Sequence, residues 1–280
     1  WDNAGAPQIG SWLADVRRAL LDGAPIDLNN LPGGVVWRRP APPRQRARNE
    51  TAELRELARA GSVLVIGPSA NANARHNFAR NTPGVIVVEP VELSRLAAFA
   101  RNLNLDHPFY AVEQCASLAR DVMTGLGRAG DFRARIERIH RNGQGRFKVN
   151  DADRAALDLV ASPSYTAVAN LLKALRGTAQ SRLFRPTVYD ATLCALSRAS
   201  ADQFENLAAA ARAERDVRRH QERTAGKIAI GSTLLLKGLE ADSCMIMNAH
   251  TLNRHDLYVA LTRGAKRICI WSERATLRPG

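Results

Sequence analysis

Residues 62–67 read SVLVIG, an uninterrupted apolar run between turn-forming residues. A run of this length without polar alternation is typical of a strand that is buried on both faces, as in a parallel sheet. A second such run, Val85–Val88, follows a helical pattern at 74–80, and another helical pattern follows at 92–101. Strand, helix, strand and helix at this spacing predict an α/β fold in which helices flank a parallel sheet.

Three apolar runs near the other end of the sequence extend the same pattern. They read KIAIG, CMIMN and RICIW, at residues 227–231, 244–248 and 267–271. Between the last two, residues 256–263 (DLYVALTR) have helical spacing. The stretch between Phe109 and residue 226 has no comparable strand. It carries helical patterns at 112–126, 132–141, 151–160, 165–175 and 201–223. The sequence therefore predicts an α/β domain that is interrupted by an all-helical insertion.

The first sixty residues have mixed character and precede the first buried run. They contain a helical pattern at 10–21, a short strand at 35–37 and a helical pattern at 50–60. Residues 38–48 hold five arginines and three prolines but no acid. This composition predicts an exposed basic loop. We therefore expect four segments. An N-terminal segment (1–60) leads into the sheet domain, whose first part is 61–108. The helical insertion follows at 109–226, and the remainder of the sheet domain is 227–280.

The composition limits the functional classes. The chain has 280 residues, with 40 Lys+Arg against 27 Asp+Glu, a net charge of +13. Only five of the basic residues are lysine. Because arginine forks onto phosphate, this excess favours a nucleotide or a nucleic acid as partner, although a GC-rich genome also favours arginine over lysine. No apolar run is long enough to span a membrane. Four scattered cysteines without a CxxC pair indicate cytoplasmic usage and no zinc module. His250 and His255 lack a third ligand, so no metal site is expected.

The chemistry-bearing residues concentrate between 228 and 271. Lys237–Glu240 (KGLE) offers a cation, a flexible turn and a carboxylate, and residues 257–263 read LYVALTR. Together with the RICI strand that follows, these segments resemble the fifth and sixth motifs of UvrD/Rep-type superfamily-one DNA helicases. The resemblance is specific over residues 227–272. It implies that the α/β domain is the second RecA-like domain of such an enzyme and that the helical insertion is its accessory subdomain.

The resemblance implies roles for individual residues. Arg263 matches the sixth-motif arginine that reaches the γ-phosphate of ATP, which makes it the candidate catalytic residue, an arginine finger. Glu240 matches the glutamate that holds the ribose, and Gly238 lies in the same turn. Arg75 is the nearest arginine after SVLVIG, and it completes the ATP site only if its loop folds back. Ser232 matches the threonine that contacts the DNA backbone. The candidate DNA-binding residues are Ser232, Thr233, Lys237, Arg38, Arg39 and Arg44.

Two groups that ATP hydrolysis needs are missing from the sequence. There is no GxxxxGK[ST] phosphate loop, and no apolar strand ends in Asp-Glu. ATP and Mg²⁺ are therefore expected to bind mainly to an upstream RecA-like domain of the same protein. Since the chain begins at Trp1 rather than Met, we expect it to be the C-terminal motor half of a longer ATP-dependent helicase. This half alone is expected to be inactive. Its expected partners are that domain and single-stranded DNA or a duplex junction, with no membrane and a cytoplasmic location.

Departures from the motif pattern keep other functions open. Leu234 stands where the family has a histidine, and Ala241 where an aromatic residue is common. Pro68 follows the SVLVIG strand where an arginine is usual. These differences favour an alternative, a helicase-derived module that binds nucleic acid but has lost its motor. A protein-interaction scaffold that uses the helical insertion is a third hypothesis.

Overall fold

The structure, a computed structural model, describes residues 6–143, 148–219 and 226–280. The chain divides into two compact units. Unit 1 comprises Trp1–Val88 and Arg223–Gly280, and unit 2 comprises Glu89–Glu222. The fold is α/β, as the apolar runs predict.

Short strands and mostly longer helices make up both units. The strands are β1 (Ile26–Asp27), β2 (Val35–Arg38), β3 (Val63–Ile66), β4 (Val85–Val87), β5 (Met123–Thr124), β6 (Arg182–Leu183), β7 (Ile228–Gly231), β8 (Ala241–Ile246), β9 (Gly264–Trp271) and β10 (Thr276–Leu277). The helices are α1 (Pro7–Leu21), α2 (Pro43–Ala60), α3 (Ala72–Asn81), α4 (Ser94–Asn102), α5 (Pro108–Val122), α6 (Ala129–Asn142), α7 (Asp151–Ala161), α8 (Tyr165–Arg176), α9 (Pro186–Ser200), α10 (Leu207–Arg219), α11 (Thr233–Leu236) and α12 (Arg254–Leu261). A 3₁₀ turn at Ala249–Thr251 precedes α12.

Unit 1 is built on a six-stranded sheet in the order β2-β9-β8-β3-β7-β4. Every neighbouring pair is parallel, which confirms the predicted parallel sheet and is consistent with a RecA-like topology. β3 lies between β7 and β8, and all four of its residues are buried. An uninterrupted apolar strand therefore occupies the centre of the sheet, where both faces are covered.

Helices cover both faces of this sheet. The path β2-α2-β3-α3-β4 crosses the sheet in one direction, and β7-α11-β8-α12-β9 crosses it in the other. Right-handed crossovers place these two sets of helices on opposite faces. On the face of α11 and α12, the buried residues of α1 pack with Leu64 and Ile66 of β3.

The predicted basic loop at 38–48 is wrong in its second half. α2 begins at Pro43, so residues 43–48 are helical. Proline fits the first turn of a helix, because the N–H that it lacks would have no partner there. Further along α2, Leu54 and Leu57 are 1% exposed and anchor the helix to the sheet. Arg44 and Arg48 in the first turns are exposed, so their charges do not oppose this packing.

Among the described residues of unit 2, the regular structure is helical apart from the short antiparallel pair β5–β6. Its core gathers apolar residues from α4, α5 and the later helices. Leu96 and Phe99 of α4 belong to that core, which explains why the unit begins at Glu89 rather than at the expected residue 109. α9 has no counterpart among the predicted helices. The helix predicted at 201–223 begins at Leu207, and residues 220–223 of that prediction lie outside the described residues.

A membrane-spanning helix would have to be long and apolar throughout. None of the helices in the described ranges meets both conditions.

Candidate functional site

Arg263 and the KGLE turn lie together at the amino edge of the sheet, where the strands begin. Arg263 occupies the turn between the end of α12 and the start of β9. Its Nε donates to the carbonyl of Val259 at 2.9 Å, and its Nη1 donates to the carbonyl of Leu239 at 2.9 Å. Its Nη2 donates to Thr262 Oγ1 at 2.8 Å. These three bonds hold the half-buried guanidinium plane against the KGLE turn.

The KGLE turn is open to solvent. Gly238 has a φ of +85°, a conformation that glycine adopts without the steric cost of a Cβ. Lys237 and Glu240 are exposed on either side of it. The carbonyl of Leu239 accepts a hydrogen bond from Arg263, and Glu240 is the next residue in the chain, so Glu240 lies close to the guanidinium. The structure thus brings together Gly238, Glu240 and Arg263, three of the four predicted ATP-binding residues.

Asp242 links neighbouring strands at the amino edge of the sheet. Its Oδ2 accepts from the backbone N and the hydroxyl of Ser62, both at 2.9 Å, and its Oδ1 lies 2.7 Å from Lys266 Nζ. The carboxylate therefore connects the starts of β3, β8 and β9. The hydrogen bond from Lys266 and those from Ser62 hold the pKa of Asp242 well below its ordinary value.

The lowered pKa of Asp242 predicts an acid-dependent loss of stability. The folded-state pKa lies below the unfolded value of about 3.9, so the contact stabilises the fold above that pH and is lost as the pH falls toward the folded-state pKa. Asp242→Asn should therefore flatten the dependence of the unfolding free energy on pH below about pH 4. Urea unfolding at a series of pH values measures this slope. Asp22→Asn, at an exposed position, is the matched control, and an equal flattening in both variants would contradict the assignment.

The predicted DNA-contacting hydroxyls lie at the opposite, carboxyl edge of the sheet and face inward. Ser232 is 6% exposed, and its Oγ caps α11 by accepting from the backbone N of Leu235. Thr233 is 2% exposed and donates to Asp256 Oδ1, and Ser69 Oγ lies 3.3 Å from its hydroxyl. In this conformation Ser232 caps its own helix, Thr233 links α11 to α12 and to the loop after β3, and both hydroxyls are covered from solvent.

Arg75 also lies at the carboxyl edge. It is 6% exposed, and its Nη1 donates to the carbonyls of Pro68 and Ser69, the latter at 3.1 Å. The guanidinium of Arg75 is thus bonded to the loop that follows β3. However, the rise per residue puts the two ends of β8 about 17 Å apart. The structure therefore does not bring Arg75 to the group formed by Arg263 and Glu240.

Arg38, Arg39 and Arg44, the basic residues predicted to bind DNA, are exposed before and within the start of α2. Arg38 ends β2, where Glu53 Oε2 accepts from its Nε at 3.0 Å and raises its pKa. Arg39 and Arg44 are exposed. The first turn of α2 has no acidic residue to balance the positive end of the helix dipole. Unit 1 has 20 basic against 11 acidic residues, a net of +9, whereas unit 2 has 20 against 16, a net of +4.

A third group of polar residues was not identified from the sequence. Arg46, Glu50 and Asn248 line a cavity of about 380 Å³ between α2, α3 and the carboxyl edge of the sheet. The available signal is the position of Asn248 at the end of the CMIMN run, since ligands of parallel sheets bind beyond the carboxyl ends of strands. Arg46 gives no signal because the composition of residues 38–48 predicts a loop, and Glu50 gives none because it is only the first residue of the helical pattern at 50–60.

The described residues contain no cluster of three or more His, Cys, Asp or Glu side chains that could hold a metal ion. No protein-family model and no curated protein matches this chain.

Proposed function

We propose that this chain is the second RecA-like half of an ATP-dependent nucleic-acid motor of the UvrD/Rep type. The observation that carries the proposal is the fixed position of Arg263 beside the exposed KGLE turn. A guanidinium has five N–H groups, and three of those on Arg263 have partners among the described residues. The remaining donors suit the oxygens of a terminal phosphate.

Each residue of this group has a distinct task in the proposal. Arg263 stabilises the negative charge that develops on the transferred phosphoryl group. Glu240 accepts hydrogen bonds from the ribose hydroxyls, and Gly238 gives the turn the shape that brings Glu240 forward. Bound ATP with Mg²⁺ supplies the phosphoryl group that is hydrolysed. The phosphate loop and the ligands for Mg²⁺ come from an upstream RecA-like domain.

Arg75 has no part in this nucleotide site. Its guanidinium is bonded to the loop after β3 at the other edge of the sheet, about one strand length from Arg263. In the proposal it holds that loop in place, beside the polar cavity and the hydroxyls of Ser232 and Thr233.

The basic start of α2 supports nucleic-acid binding as the second part of the function. Arg38, Arg39 and Arg44 lie in or next to this segment, where the helix dipole adds to their positive charge. Such contacts bind phosphates without reading sequence, and their strength falls as salt is added. The favoured partner is single-stranded DNA.

Single-stranded DNA binding tests this part of the proposal. The logarithm of affinity should fall linearly with the logarithm of salt concentration, and Arg39→Ala with Arg44→Ala should reduce that slope by about 1.4. Fluorescence anisotropy with a labelled thymidine oligomer at several salt concentrations measures both quantities. Arg17→Ala with Arg18→Ala removes the same charge from exposed positions on α1 and should leave the slope unchanged. Equal losses in the two double variants, or no binding at low salt, would exclude α2 as the contact surface.

The alternative function is a nucleic-acid-binding module without a motor. Two observations favour it: Ser232 and Thr233 are covered, and Arg75 lies at a different edge of the sheet from Arg263. A polypeptide that joins this chain to a phosphate-loop domain distinguishes the two functions. Hydrolysis of ATP stimulated by DNA supports the motor, whereas DNA binding without hydrolysis supports the module.

A further inference from the structure

The cavity at the carboxyl edge of unit 1 is separate from the nucleotide site around Arg263. Its volume of about 380 Å³ is within the range of pockets that bind small molecules or single groups of larger ones. α2 and α3 form its sides, and residues at the ends of β7 and β8 form its base. Phe78 and Met247 give it apolar walls.

Glu50 is the buried acid of this cavity. It is 5% exposed, and its Oε1 accepts from Arg46 Nε at 2.8 Å. Within the described ranges of the chain, no donor forms a hydrogen bond with its Oε2. A carboxylate provides about four acceptor positions, so most of the capacity of Glu50 is unused. Because Glu50 lines the cavity, these acceptor positions are available to a ligand that carries donors.

Asn248 provides a matching donor beside this acceptor. Its Oδ1 accepts from Arg46 Nη2 at 2.6 Å. Because arginine only donates, the side-chain oxygen of Asn248 must face Arg46, and the amide nitrogen must point elsewhere. In the part of the chain that the structure describes, no acceptor bonds to this nitrogen. Arg46 thus holds an acceptor, Glu50, and a donor, Asn248, in one fixed arrangement on the cavity wall.

We propose that this cavity binds a guanine base of a single-stranded nucleic acid. Guanine carries two adjacent donors, N1–H and N2–H₂, next to the acceptor O6. The two donors suit the carboxylate of Glu50, and O6 suits the amide nitrogen of Asn248. Phe78 offers an aromatic surface for the base. The exposed Arg44 and Arg48 on the same helix are available to the neighbouring phosphates. This inference rests on the proposed nucleic-acid binding and adds a base preference to it.

Anisotropy with two labelled oligomers of about 15 nucleotides tests the inference. One is all thymidine, and the other has a single central dG. The full chain should bind the dG oligomer about tenfold more tightly. Glu50→Gln should remove this preference, because it replaces an acceptor oxygen by a donor, and should leave affinity for the thymidine oligomer within about twofold. Glu56→Gln removes the same charge from an exposed position on α2 and should keep the preference.

Asn248→Asp is a second, independent variant. It keeps an acceptor for Arg46 but removes the donor for O6, so it should also abolish the preference. Equal affinity of the wild-type chain for both oligomers overturns the guanine site while leaving nucleic-acid binding intact. Failure to bind either oligomer overturns both proposals. Free guanosine monophosphate, added as competitor, separates the two sources of the base: binding of the mononucleotide without any dG preference in the strand overturns the single-strand assignment.

Discussion

Replacing Arg263 by alanine is expected to lower ATP turnover by about 10³-fold to 10⁵-fold, the range typical of an arginine finger. The reason is geometric as well as electrostatic. The bonds to Val259, Leu239 and Thr262 orient the guanidinium before ATP arrives, so its charge needs no reorganisation during the reaction. The measurement is DNA-stimulated ATP hydrolysis by a polypeptide that joins this chain to a phosphate-loop domain.

Arg263→Lys should lower ATP turnover almost as much as Arg263→Ala does. A lysine ammonium is a single point charge and cannot hold the carbonyls of both Leu239 and Val259 while facing a phosphate. Arg278→Ala, at an exposed position, is the control and should keep normal turnover. Single-stranded DNA affinity should stay within about twofold in all three variants, since Arg263 lies at the opposite edge of the sheet from α2's basic start. Normal hydrolysis by Arg263→Ala would show that the residue has only a structural role.

The buried strands could be predicted from the sequence because their signal is local. SVLVIG needs no knowledge of its neighbours to be identified as a strand covered on both faces, and the structure places it at the centre of the sheet. The start of α2 could not be predicted in the same way. Its prolines and arginines disfavour a packed element locally, and only the burial of Leu54 and Leu57 on the sheet stabilises the helix.

The grouping of the site residues depends on element boundaries, which are less certain from sequence. DLYVALTR suggests that Arg263 lies on a helix, but α12 ends at Leu261 and β9 begins at Gly264. Arg263 and Glu240 each precede a strand, whereas Arg75 follows one. In a parallel sheet this difference alone separates Arg75 from the other two.

The polar cavity had a weaker signal still. Arg46 and Asn248 are 202 residues apart in sequence, and their bond exists only because β8 lies beside β3 under α2. No local pattern contains that information. Glu50 is only the first residue of the helical pattern at 50–60, and its burial beside a cavity follows from the packing of α2 and α3.

The Glu89–Arg185 pair of unit 2 gives the largest expected effect on stability. Arg185 Nε and Nη2 donate to the two carboxylate oxygens of Glu89, at 2.5 and 2.9 Å. The side chain of Arg185 is 9% exposed and that of Glu89 is 3% exposed. Removing one member leaves the other charge buried without its partner. Arg185→Met should therefore lower the free energy of unfolding of unit 2 by about 3–5 kcal/mol, and Glu89→Gln by a similar amount.

A double variant tests whether the cost of each single change comes from the unpaired charge that it leaves. With both charges gone, no unpaired ion stays buried, so Glu89→Gln with Arg185→Met should cost less than the sum of the single changes. Arg154→Met is the matched control, because Arg154 forms an ion pair with Asp151 at 2.6 Å but is 60% exposed. That change should cost less than about 1 kcal/mol.

The tryptophans allow the effect to be located. All four, at positions 1, 12, 37 and 271, belong to unit 1, so their fluorescence reports on that unit. Far-UV circular dichroism includes the helices of unit 2. Arg185→Met should move the urea transition seen by circular dichroism further than the one seen by tryptophan fluorescence, since the buried charge destabilises the unit that contains it. If Arg185→Met lowers the free energy of unfolding by less than about 1 kcal/mol, water must reach Glu89 and hydrate its carboxylate in place of Arg185.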